Sequence, residues 1–188
     1  MRFLVFADLQ LDRELETDAG GPDHAVRRRA NVRACLDRIL ALADDHDVDA
    51  IVSAGDLYVH RHVLPGTASF LVDRLGKAGR PVFLAPGDQD PHTPDSVYAT
   101  TAWPDNVHVF DCDVLVPVEL GPGVRLWGAA HPDHPDRADT PGFLDGFVIA
   151  DDGVNLAVFH GSEVELPSEP STSSVAPFRA EQVAQAGL

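Results

Sequence analysis

Cysteine is scarce and cationic side chains are few. Cys35 and Cys112 cannot build a disulfide framework and lack the paired spacing of a zinc finger, so the chain reads as a reduced, cytoplasmic protein. No apolar stretch approaches the length of a signal or membrane-spanning segment, and no membrane partner is expected. Lysine and arginine number 14 against 30 acidic residues. The resulting net charge of −16 repels a nucleic-acid backbone at long range and counts against a sequence-independent DNA clamp. Lysine occurs once, at Lys77, which points to nucleotide composition or habitat rather than to function. The densest basic cluster, Arg27, Arg28, Arg29 and Arg33, spreads around a helix and reads as a solvated face in preference to a phosphate-binding patch.

What the chain does have is enough apolar residue, 44% of 188, to bury a sizeable core, and one domain spanning 1–188 is the expectation. Short apolar runs at 3–7, 50–54, 81–85 and 156–159 have the β-branched character of buried parallel strands. Between them, helical spacing of apolar residues predicts an amphipathic helix from Ala25 to about Asp45, after a turn-rich stretch holding Gly20-Gly21-Pro22. A second helix is predicted from Thr67 to about Lys77, ending at Gly79. The order β-α-β-α-β implies right-handed crossovers and a parallel sheet with ligand groups outside the carboxyl ends of its strands. Beyond Pro91, runs at 107–110, 114–118 and 124–127 separated by Asp, Gly and Pro turns suggest antiparallel pairing in a second, mixed sheet packed on the first. Residues 131–142 read as a loop, and 167–177 as a Pro/Ser/Thr linker before a last helix from about Phe178.

The chemistry sits where strands become loops. Asp8, Gly55-Asp56, Gly87-Asp88-Gln89-Asp90 and His160-Gly161 each follow one of the four apolar runs, so acidic and imidazole groups from distant sequence should meet at one sheet edge. Any one of these alone is weak: a strand-final Asp is as often a helix cap or turn former, and a lone His is usually a satisfied surface or core group. Together and in order they suit two-metal phosphoester hydrolysis, which needs one carboxylate shared by both ions, further oxygen and nitrogen ligands, and a water activated for attack on phosphorus. Asp56 is the natural shared ligand, with Asp8 completing one ion and Asp88 and His160 the other. Glycines at 55, 87 and 161 would let the backbone turn beside a crowded centre.

The strings Phe6-Ala7-Asp8-Leu9-Gln10-Leu11-Asp12, Gly55-Asp56-Leu57-Tyr58, Ala85-Pro86-Gly87-Asp88-Gln89-Asp90 and Phe159-His160-Gly161-Ser162 resemble the calcineurin-like metallophosphoesterases. Within them the similarity is to the branch of DNA double-strand-break-repair nucleases and their bacterial relatives, over nearly the whole chain. The resemblance implies a four-layer α/β/β/α sandwich of mixed sheets and phosphodiester hydrolysis. It also implies two divalent ions, manganese in this branch, with magnesium or zinc as alternatives. Carried over by position, Asp8, Gln10 and Asp56 would hold the first ion, and Asp56, Asp88 and His160 the second.

Departures from that pattern bear on activity. The family has Asp-x-His where Asp8-Leu9-Gln10 stands and Gly-Asn-His-Asp where Gly87-Asp88-Gln89-Asp90 stands. Gln10 offers a carbonyl oxygen, a weaker ligand than imidazole for zinc-like or iron-like ions, while Asp88 adds a compensating negative charge. Gln89 takes the catalytic position of a histidine thought to protonate the leaving group, and an amide is no acid near neutral pH. General acid catalysis is worth on the order of 10² to 10⁴ in rate, so a slow enzyme is expected, slowest on alkyl leaving groups such as those of DNA. The family also continues into a strand and a Gly-His-x-His segment that this sequence does not reach by Leu188. A C-terminally incomplete fold is therefore expected, from a truncated product or with a second chain completing the site. An open sheet edge would then favour oligomers or a bound partner.

His60 and His62 follow the second motif closely enough to line the cleft but read as a solvated loop, His131 ends a strand and faces the site or not with equal justification, and His134 reads as loop. Trp103 and Trp127 read as core packing, since no basic patch interleaves with them. Two functions stay open. One is a nuclease-type metallophosphoesterase acting on a phosphodiester, DNA included, with an ATPase partner as that branch often has. The other is a catalytically silent phosphoesterase-like domain used for binding or assembly.

Overall fold

The computed structural model describes residues 1–14, 21–131, 142–150, 153–164 and 176–188. Strands β1 (Phe3–Phe6), β2 (Ala50–Ser53), β3 (Val82–Leu84) and β4 (Val107–Val109) lie side by side in that order, all parallel. Helices α1 (Gly21–Asp45) and α2 (Thr67–Gly76) cross over from β1 to β2 and from β2 to β3. Alternate strand residues serve opposite faces. Leu4, Phe6, Ile51, Val82 and Leu84 pack with Leu36, Ala43, Leu71 and Leu75 of the helices, whereas Phe3, Val52 and Phe83 point to the other side. Arg80, just ahead of β3, donates to the Ala43 carbonyl at 3.0 Å and so covers part of the open C-terminal end of α1.

The second sheet contains β5 (Val116–Gly121), β6 (Val124–Gly128) and β7 (Val154–Val158), with β5 antiparallel and β7 parallel to β6. Its inner face, Leu126, Leu156 and Val158 with Phe110, meets Val52 and Phe83 of the first sheet. Its outer face, Trp127, Ala157 and Phe159, meets Phe143, Leu144 and α4 (Ala180–Ala186). The result is the expected α/β/β/α layering of a parallel and a mixed sheet. Among the described residues no helix is long and apolar enough to cross a membrane.

Several elements differ from the sequence reading. β4 is not antiparallel in the second sheet but the fourth parallel strand of the first, since Val107, His108 and Val109 register with Val82, Phe83 and Leu84. A three-residue run shows no periodicity that would assign it to either sheet. α1 begins at Gly21, with Pro22 in its first turn, where proline has no hydrogen bond to lose. α4 begins at Ala180, because Phe178 instead forms a parallel bridge with Glu163. A short helix α3 (Val97–Thr100), capped by Ser96, was not foreseen. The loop expected over 131–142 and the linker expected over 167–177 fall mostly outside the described residues, and His134 falls wholly outside them.

Candidate metal centre

Past β1 the chain does not leave β2 but runs on beside it. The N–H of Asp8 donates to Gly55 O at 3.1 Å, that of Gln10 to Asp56 O at 2.9 Å and that of Leu11 to Leu57 O at 3.0 Å. Within this irregular ladder Asp8, Gln10, Asp12 and Asp56 all hold left-handed backbone, with φ of 55°, 50°, 63° and 55°. Such geometry is unfavourable for a residue with a Cβ and persists where surrounding contacts over-determine it.

Two buried acids supply those contacts. Asp90, fully buried, accepts the N–H of Asp56 at 3.0 Å and of Gly87 at 2.7 Å on one oxygen. Its other oxygen takes the N–H of Leu57 at 2.7 Å and the Tyr98 hydroxyl at 2.6 Å. Burial pushes the Asp90 carboxyl up to about 7, while the hydrogen bond from Tyr98 and the backbone donors pull toward the anion. Asp12 accepts the N–H of Leu64 at 3.0 Å and the hydroxyl of Thr67, with the Arg33 guanidinium 3.7 Å away. Both acids lie within the sequence motifs, at positions with no metal-binding role. Nothing in the local pattern sets Asp12 or Asp90 apart from turn-forming aspartates.

On this scaffold the expected residues converge. Asp8, Asp56 and His160 bring ligand atoms within 4.8 Å of one another. Asp88 Oδ1 lies 3.2 Å from His160 Nε2, and Asp56 Oδ1 lies 3.7 Å from it. His160 Nδ1 donates to Ala54 O at 3.0 Å, which turns Nε2 toward the carboxylates. The hydrogen bond it donates to Asp88 raises His160 to about 9 against the opposing effect of burial. Asp56 is also raised, by burial first, although the Gln89 amide and His160 pull it down.

Both glutamines are engaged. Gln10 Nε2 donates to Asp56 Oδ2 at 3.2 Å, and its Oε1 accepts from Arg13. The Gln89 main-chain N–H donates to Asp56 Oδ1 at 3.0 Å, and its side-chain amide donates to Asp88 Oδ2 at 2.7 Å. Close approach is possible only because two neighbours lack side chains. A Cβ on Gly55, whose φ is +95°, would lie 2.6 Å from His160 Nδ1, and one on Gly87 would lie 2.6 Å from Asp56 N.

The remaining histidines serve other contacts. His60 Nε2 is 3.6 Å from Asp95, and His62 Nδ1 accepts the Glu14 N–H at 3.3 Å. His131 is buried edge-on against Phe143, and its main-chain N–H donates to Pro86 O at 2.9 Å. Trp103 donates to Tyr98 O and Trp127 to Asn155 Oδ1, each at 3.0 Å, so both indoles are packing groups.

The model of the calcineurin-like phosphoesterase family matches residues 1–164. The chain belongs to that family. No curated protein matches the chain. The matched span ends past His160, so all the converging residues of this calcineurin-like phosphoesterase lie inside it. Their donor set, carboxylate oxygens with one imidazole, suits a divalent cation of hard or borderline character. Asp8, Asp56 and His160 are close enough to share one. The match is to the calcineurin-like phosphoesterases as a whole and does not single out a nuclease branch.

Proposed function

We propose that the chain is a metal-dependent phosphodiesterase of nuclease type, slow because of its substituted motifs. The observation that carries the reading is the gathering of Asp8, Asp56 and His160 ligand atoms within 4.8 Å at the carboxyl ends of β1, β2 and β7. In this reading Asp56 would be the carboxylate common to a pair of divalent ions, manganese by preference, which Asp8 and Gln10 and then Asp88 and His160 would help to hold. Bound ions would polarise the phosphoryl oxygens and lower the pKa of the attacking water. Asp56 is already held for that task by the Gln89 N–H and the Gln10 amide. Gln89 can hydrogen-bond a phosphoryl or leaving oxygen but has no proton to give, so leaving-group basicity limits the rate.

The test is hydrolysis of bis(4-nitrophenyl) phosphate by chelator-treated protein with and without added manganese. Hydrolysis that needs the metal and is lost in Asp56→Ala supports the reading, and hydrolysis that survives either treatment ends it.

A second reading, a silent domain used for binding or assembly, is favoured by one feature. Both glutamine amides point N–H groups at the carboxylates a cation would need. Metal binding without turnover, unchanged after Gln10→His and Gln89→His, would select it. DNA as substrate, an ATPase partner and self-association belong to the same proposal. β1 and β7 end their sheets among the described residues, with Val5 and Val154 exposed, which supports strand addition by another chain. Cys35 and Cys112 are free thiols, which supports a cytoplasmic setting.

A further inference from the structure

The arginines of α1 are not equivalent. Arg27 is exposed, and Arg33 reaches Thr67 and Asp12. Arg28 and Arg29 are half-buried and line a cleft of about 180 Å³ together with Arg13, Asp8 and Gln10. The helical step of α1 places Arg28, Arg29 and Val32 on this one side.

Asp8 and Asp12 line the same cleft, yet neither is within ion-pair distance of Arg13, Arg28 or Arg29. Arg74 pairs with Asp37, Arg80 with Asp44, Lys77 with Asp73 and Arg125 with Glu119. Among the described residues Arg13, Arg28 and Arg29 form no such pair. Their hydrogen bonds go to neutral oxygens, Arg13 to Gln10 Oε1 and Arg28 to the Arg13 carbonyl. In a protein of net charge −16, guanidinium groups that form no ion pair among the described residues and stand at the mouth of a cleft are available to an incoming anion. They are also tied to the candidate centre, since Gln10 bridges from Arg13 to Asp56 Oδ2.

We infer that Arg13, Arg28 and Arg29 bind a second phosphate of the substrate, next to the one hydrolysed. The preferred substrates are then phosphoesters with a neighbouring phosphate, as in nucleotides and short oligonucleotides, and not isolated phosphate esters. This rests on the phosphodiesterase reading for the identity of the first phosphate. Planar guanidinium forks match phosphate oxygens in pairs, which gives both charge and geometry. Arg28 also borders a shallower depression of about 340 Å³ lined by Val32, Cys35 and Ile39, apolar ground for the organic part of such a ligand. The net charge of −16 would still disfavour long DNA, whose many phosphates reach beyond so local a site.

The experiment is calorimetric binding of thymidine 3′,5′-bisphosphate and thymidine 5′-monophosphate to the full chain in manganese. The bisphosphate should bind on the order of ten-fold more tightly, a preference that salt weakens. In the double variant Arg28→Ala, Arg29→Ala the ratio should fall toward one, while Arg27→Ala, which removes one positive charge from the exposed face of the same helix, should retain it. Equal binding of the two probes, or a ratio that the double variant keeps, overturns the inference. Should the double variant melt abnormally, loss of the ratio with salt in the unmodified chain decides in its place. Hydrolysis of bis(4-nitrophenyl) phosphate separates the two readings. Turnover without a bisphosphate preference removes the arginine site alone, and a preference without turnover removes the enzyme alone.

Discussion

Asp90 accepts the main-chain N–H of Asp56 at 3.0 Å, so a fully buried acid fixes the acid that faces the centre. The same carboxylate gathers Gly87, Leu57 and Tyr98, and thereby joins the loops after β2 and β3 to α3. Truncating it strands several buried N–H donors at once. Asp90→Ala should cost at least about 3 kcal/mol of unfolding free energy and weaken metal binding, because a buried donor without an acceptor costs about 1–3 kcal/mol. Tyr98→Phe, which removes one donor only, should cost about 1 kcal/mol. Denaturant melts and manganese titrations of the two variants check this. Equal effects would remove Asp90 as the organiser.

Close packing behind the ligands makes a second case. Gly87→Ala places a methyl group 2.6 Å from Asp56 N, and Gly55→Ala places one 2.6 Å from His160 Nδ1 on a backbone at φ +95°. Each should lower stability by about 1–3 kcal/mol and depress metal affinity, whereas Gly66→Ala, where a Cβ meets nothing within 4 Å but φ is +91°, should cost stability alone. Thermal melts with and without manganese distinguish the outcomes.

His160 fixes a pH dependence. In the metal-free chain the hydrogen bond to Asp88 raises it to about 9 from an ordinary 6.5. Its contribution, on the order of 3 kcal/mol, is complete below pH 6.5 and lost as pH rises through about 9. Chelated protein should therefore lose stability between these limits. His160→Asn should flatten that slope, and an unchanged slope would assign the proton elsewhere. Manganese requires the neutral imidazole, so binding near pH 7.5 should release a proton, measurable in buffers of different ionisation enthalpy.

Gln89 bears on rate. Gln89→His restores a group able to donate a proton, so the rate on a dinucleotide should rise by about 10² or more, with little change on an aryl diester whose leaving group needs no acid. Equal gains on both substrates would mean that position 89 acts on metal binding.

Much of the site was legible because its residues follow apolar runs that read as strands, and strand ends of a parallel sheet converge by topology alone. Asp8, Asp56 and Asp88 needed no more than that, whereas His160 follows β7 of the second sheet and reaches them because the two sheets pack face to face. Asp90 and Asp12 escaped notice because their work is acceptance of loop N–H groups, which any Asp near a glycine could do. Arg28 and Arg29 escaped because helical phase against the sheet, set by packing of Leu36 and Ala43, decides which arginines meet the cleft. β4 was assigned to the wrong sheet because three residues carry too little pattern to choose a neighbour.

Calorimetric titration of chelator-treated protein with manganese, beside Asp56→Ala, bears most directly on the central claim. A pair of ions bound by the unmodified chain and lost in Asp56→Ala is the expected result, because both half-sites share that carboxylate. One weak ion or none, or binding that Asp56→Ala leaves intact, would contradict a dinuclear centre built on Asp56.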